Sequence, residues 1–219
     1  MQTKHLIPTL FKKLLKYLGL GVSTTLLSLI LSWGILPTAA QISLENPTSR
    51  LSTPDSLASN IPQLVQQGKE LYQNSQYADA VKVWQKAAST FASRGDKLNQ
   101  AMVLSNLALA YQQLGNWTEA NQAIELSLKL LGETQGNSTN RRRVLAQALN
   151  NQGNLQLAQG QGEAALTTWK RAKEIYQQIG DEAGVTRGLI NQSQAMEILG
   201  LHPRACKTIL QVFEFSNQD

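Results

Sequence analysis

Reactive side chains are scarce in this 219-residue chain, which holds one cysteine, Cys206, and two histidines, His5 and His202. His202 and Cys206 stand four residues apart, so a thiolate–imidazole nucleophile is the one covalent chemistry their types allow. No glycines suited to an oxyanion hole surround Cys206, and no third group in the neighbouring sequence would orient the histidine. A lone cysteine beside a small residue, here Ala205, is expected to pack as a small buried hydrophobe instead. One Cys and one His also fall short of the four ligands of a structural zinc site. No glycine-rich phosphate loop occurs. Neither catalysis, metal nor cofactor is therefore expected. The run Arg141-Arg142-Arg143 offers a different chemistry, capture of phosphate or anionic lipid, set against the plainer role of a solvated helix start.

The formal net charge of +5 points away from nucleic acid once it is located. Lys4, Lys12, Lys13 and Lys16 precede every acidic residue, so residues 41–219 carry 16 basic against 15 acidic side chains. A nucleic-acid binder needs a sustained basic face, and none remains. Those lysines open a secretory pattern: twenty uncharged residues follow from Tyr17 to Leu36, then Pro37-Thr38-Ala39-Ala40-Gln41. Residues 1–40 are expected to be a signal peptide cleaved after Ala40. The alternative is a retained membrane anchor through residues 17–36. In both cases the remainder is translocated, to a bacterial periplasm or the exterior. Residues 41–60, rich in Ser, Thr and Pro, read as a flexible linker.

What positions the remaining residues is a repeat. Shifting the chain by 85 residues superimposes Gly68 on Gly153, Ala80 on Ala165, Trp84 on Trp169, and Gly95-Asp96 on Gly180-Asp181. A shift of 40 aligns Ala80 with Ala120, Ala165 with Ala205, and Tyr77 with Trp117. Four units result, spaced 40, 45 and 40 residues apart, with five extra residues falling in the stretch 132–140. Within a unit, Leu104, Leu107, Ala108, Tyr111 and Leu114 recur at helical steps, and a second stripe starts at Ala120. Gly95 and Gly180 suit helix ends, with Asp96 and Asp181 as caps of the next helix. Strand signals are absent. The expected fold is all-α, a stack of four helix pairs.

Small residues at Gly68, Ala108, Gly153 and Ser193, the aromatics Tyr77 and Trp117, and Ala80, Ala120, Ala165 and Ala205 resemble the tetratricopeptide repeat (TPR). Units of about forty residues look like the family's extended variety, similar to kinesin light chains. The resemblance covers residues 61–215. Gln156, Gly162 and His202-Pro203 depart from it where an aromatic is usual. It implies a right-handed α-α superhelix whose inner wall is built by the first helix of each unit.

The resemblance also assigns inner-wall positions. One set is Gln66, Asn106, Asn151 and Asn191; its neighbours are Lys69, Tyr72, Gln112, Asn150, Asn154, Arg187, Gln194 and Glu197. Asparagine is a mediocre helix former, so three in register call for a reason. An amide supplies the donor and acceptor that a peptide backbone needs, so an extended segment of a protein partner would fit there. Alternatively the asparagines bond adjacent helices. The last helix carries Ile209, Leu210, Val212, Phe213 and Phe215 with no capping helix after it, which suggests self-association, a docked partner or a longer chain. Exported bacterial proteins with such repeats often continue into a caspase-like CHAT domain. A regulatory module of such an effector is thus the alternative to a binding scaffold.

Overall fold

The computed structural model describes residues 61–216. The expected signal or anchor (1–40), its apolar stretch 17–36 and the linker 41–60 lie outside the described residues. Eight helices follow one another: α1 (Ile61–Gln73), α2 (Tyr77–Ser93), α3 (Lys97–Gln113), α4 (Trp117–Glu133), α5 (Thr139–Ala158), α6 (Gly162–Gln178), α7 (Glu182–Ile198) and α8 (His202–Ser216). Among the described residues there is no strand. The pairs α1/α2, α3/α4, α5/α6 and α7/α8 are the four sequence units. His202 and Pro203 open α8 rather than forming the turn before it; proline suits the first turn, where its missing N–H leaves no bond unmade.

Three-residue links join the helices everywhere except between α4 and α5. Gly95 and Gly180 take positive φ (67° and 69°), as their helix-ending role requires. Asp96 then accepts from the Asn99 N–H at 3.1 Å and Asp181 from the Gly184 N–H at 2.9 Å, satisfying donors that a helix start leaves free. The exceptional link, 134–138, is five residues long, and α5 has 20 residues where α3 has 17. Loop and helix thus share the five extra residues of the 45-residue spacing. Helix α5 is capped by Ser138, whose Oγ accepts from the Arg141 N–H.

Packing follows the repeat. Ala80, Ala120, Ala165 and Ala205 are all buried, letting helix backbones approach closely. Trp84 and Trp169 are 2% and 1% exposed. Each indole lies where a Cβ on the glycine of the preceding helix would stand, Gly68 for Trp84 and Gly153 for Trp169. Units two and four pair a larger residue with a smaller one at the same two positions: Ala108 with Ile124, and Ser193 with Ile209. Side-chain volume is therefore exchanged across the helix pair in alternate units, the requirement of a close-packed interior.

At Gly162, where the repeat usually has an aromatic, a Cβ would stand 3.1 Å from Leu199 Cδ2. Leu199 from the link after α7 takes up the space of the missing ring.

Candidate functional site

First helices stack side by side, so residues one turn apart on each form tiers across the stack. The uppermost tier is Gln66, Asn106, Asn151 and Asn191. Asn151 Nδ2 donates to Ser105 Oγ at 2.8 Å and to the Ser105 carbonyl at 3.3 Å. Asn191 Nδ2 donates to Asn150 Oδ1 at 2.9 Å. Each amide thus reaches the residue just before the tier position of the preceding helix. At Asn106 that residue is Val65, which has no polar side chain. Gln66 Nε2 turns instead to Glu70 Oε1 on its own helix, at 3.0 Å.

Asn150 is 5% exposed. Its side chain braces Asn191 and its carbonyl accepts from Trp169 Nε1 at 3.0 Å. Burial and two bonded groups make it part of the frame behind the wall. Lys69 and Arg187 are exposed, and Asn106 and Asn151 are half-buried.

Lower tiers converge on a groove of about 430 Å³. All four first helices line it: Tyr72 from α1, Leu109 and Gln112 from α3, Asn154 and Leu157 from α5, and Gln194 and Ile198 from α7. Four of the residues expected at the inner wall, Tyr72, Gln112, Asn154 and Gln194, are brought together there. Its apolar part escaped the sequence argument. Ile198 is 63% exposed; its place at the same turn of the helix as the polar wall residues was the available signal. Gln112 Oε1 is buried with no hydrogen-bond partner among the described residues, an acceptor held ready in a site with no charged lining residue. Tyr72 packs edge-on against Tyr77, with ring centroids 5.3 Å apart. Burial pushes its hydroxyl pKa up, with Tyr77 adding to the effect and a hydrogen bond with Gln113 opposing it. The groove can offer amide donors and acceptors beside an apolar floor.

No protein-family model matches the sequence, and no curated protein does. Solved structures do. BtubC (BKLC) from P. vanneervenii superimposes with a TM-score of 0.60 at 18% identity, over 76% of this chain and 66% of that one. A Podosopora anserina kinesin-light-chain-like protein of nearly identical TPR-like repeats gives 0.51 at 20% identity over 78% of this chain and 80% of that one. A point variant of it gives 0.53 at 19%, over 78% and 79%. The fold is a TPR-type helical repeat. At such identities the likeness is one of fold, and the chain spans just under two thirds of BtubC.

Two expectations about reactive groups meet the TPR frame differently. Cys206 is exposed rather than buried. Ala205 occupies the packed position, and one helical step turns the next side chain about 100° away from it. His202 Nδ1 lies 2.9 Å from Glu197 Oε2, across the link between α7 and α8. Among the described residues, no three His, Cys, Asp or Glu side chains group as metal ligands. The arginine triplet is engaged with the protein: Arg141 Nε and Nη2 donate to the Leu131 carbonyl at 3.1 and 2.6 Å, Arg142 to Gln178 Oε1, and Arg143 Nε sits 3.7 Å from Asp181 Oδ2. These guanidiniums tie the start of α5 to the ends of α4 and α6. They are less free than a solvated helix start would leave them.

Proposed function

We propose that this chain is a protein-interaction scaffold that holds an extended segment of a partner in the groove formed by α1, α3, α5 and α7. The observation that carries this reading is the convergence of Tyr72, Gln112, Asn154 and Gln194, one from each first helix, around a shared apolar floor. Amides at helix-stack spacing bind a main chain with little dependence on its sequence, and the floor accepts an uncharged side chain. Asn106 extends this surface. Asn151 and Asn191 present their side-chain carbonyls while their amide groups hold the wall together. Lys69 and Arg187 stand exposed on the same helices, as rim charges that would steer a partner more than hold it. The basic and apolar N-terminal pattern supports a working place outside the cytoplasm.

The test is capture of partner from the exported fraction by the full chain. Gln112→Ala/Asn154→Ala/Gln194→Ala should lose capture with its thermal unfolding unchanged. Undiminished capture by that variant would remove the groove from consideration. Asn151→Ala should instead lower stability, because Ser105 loses its partner.

A further inference from the structure

The end of the groove nearest the C-termini of the first helices changes character along the stack. On α1 and α3 its lining is polar, made by Tyr72, Gln112 and Gln113. On α5 and α7 it is apolar, made by Leu157, Ala158 and Ile198. Ala158 is exposed and Leu157 half-buried, while Ile198 is 63% exposed and belongs to none of the core clusters. The apolar half is therefore open surface and not interior. An aliphatic side chain left in water on a concave wall gains from an apolar group that covers it.

The polar half is built of side-chain amides beside one phenol. Tyr72 and Gln113 are hydrogen-bonded to each other. Gln112 Oε1 is shut away from water with no hydrogen-bond partner among the described residues. Turning that amide towards a donor in the groove would gain a bond and break none at the oxygen. No Asp, Glu, Lys or Arg lines the groove. Glu197, the nearest carboxylate along α7, sits 2.9 Å from His202 Nδ1 instead. A charged side chain entering the groove would give up water without meeting a counter-ion in the lining.

Resting on the groove as the partner site, we propose that its occupant is an uncharged, polyproline-II-like segment with an aliphatic side chain three residues from an Asn or Gln. The aliphatic group covers Ile198, Ala158 and the open edge of Leu157. The amide pairs with Gln112, giving and taking one hydrogen bond. The spacing follows from the frame. Gln112 and Ala158 stand on the adjacent helices α3 and α5, and packed helices lie about 8–10 Å apart. A polyproline II chain rises about 3.1 Å per residue and returns to the same face every third residue, about 9 Å on. Same-face residues of a β-strand fall at about 7 or 13 Å and match less well.

Calorimetric titration of the full chain with the capped peptide Pro-Ser-Gln-Pro-Ser-Leu-Pro-Ser, and with its Gln and Leu exchanged, tests the occupant. One order should bind saturably. In that order, Leu replaced by Ser should weaken binding about tenfold, as loss of aliphatic burial implies. Gln replaced by Met should weaken it about fivefold, the worth of a hydrogen bond, and Gln replaced by Glu or Lys about tenfold or more. Moving the leucine one position either way should also weaken it. On the Ile198→Ser chain the leucine and serine peptides should bind alike, and on the Gln112→Leu chain so should the glutamine and methionine peptides. Ile198 is exposed, so its replacement leaves the fold in place. Binding of neither order, charged forms binding as tightly, or a leucine preference that survives Ile198→Ser would overturn the inference. The broader groove reading fails separately, when the triple variant still captures partner from the exported fraction.

Discussion

Gly153 and Trp169 show how narrowly a single position can be determined. The indole occupies the space of the absent methyl group, and Trp169 Nε1 is committed to the Asn150 carbonyl. Gly153→Ala should cost about 1–3 kcal/mol in chemical unfolding, the usual range for overpacking a core. Adding Trp169→Ile should recover most of that loss, because Ala108 with Ile124 is the combination the second unit already uses. Tyr176 offers the opposite case, a defect whose removal should help. Its hydroxyl is buried without a hydrogen-bond partner among the described residues, and burial pushes its pKa up to about 12, with Arg187 opposing and Asp181 adding to the shift. The folded state therefore holds the proton more tightly than the unfolded one, whose phenol titrates near 10.0. Stability from this group is complete below pH 10 and is lost as pH rises towards 12. Tyr176→Phe should raise stability by about 1 kcal/mol at neutral pH and flatten that alkaline decline, measured by thermal unfolding across pH.

Helices and links were the most readable level of the chain. Gly95-Asp96 and Gly180-Asp181 specify their turns through contacts three to five residues apart, and such local chemistry is visible in sequence. The arginine triplet was not readable in the same way. Its partners Leu131, Gln178 and Asp181 lie on three different segments, and only the packed stack brings them near α5. Asn150 escaped for a related reason: α3, α5 and α7 are covered on more than one face, so their periodicity is weak and a buried amide looks like a wall residue. The same distinction separates two surface contacts at the α4 end. Lys97 and Glu133 pair at 3.0 Å with both side chains nearly half exposed, and Lys97 draws the Glu133 pKa down. Lys97→Ala should leave the unfolding temperature unchanged within error. Arg141→Ala, which strips a carbonyl at the end of α4 of its charged donor, should cost about 1–2 kcal/mol.

Across the whole described region the interior is not one continuous body. One cluster runs from Ile61 to Leu155 through the first two units, and two smaller ones serve α5 to α8. Leu128 and Leu145 pack against both the first and the second cluster, so they form the bridge at the seam with the longer link. The periodicity of 85 residues had this arrangement in it, since Gly68/Trp84 and Gly153/Trp169 recur only in alternate units. What the periodicity could not convey was which seam would be closed by a buried aromatic, Phe91 or Tyr176, and which by Leu131, a matter of side-chain volume across helices far apart in sequence. Exposure of Leu114, Trp117, Leu126 and Leu210 likewise depends on what lies opposite each residue after stacking.

Alternation of large and small residues across each helix pair, together with alternate kinds of seam, carries a consequence for how such a chain lengthens. The natural module is the doublet, not the single hairpin. Duplicating residues 69–153 in tandem keeps the alternation of packing from unit to unit and the bridging leucines Leu128 and Leu145, and should give a longer array that melts at least as high as the parent. Inserting a forty-residue copy instead places the wrong contour against the wrong ridge at its new junction, and that product should melt lower. Scanning calorimetry on the two lengthened chains would show whether the lineage of this molecule grew in steps of two.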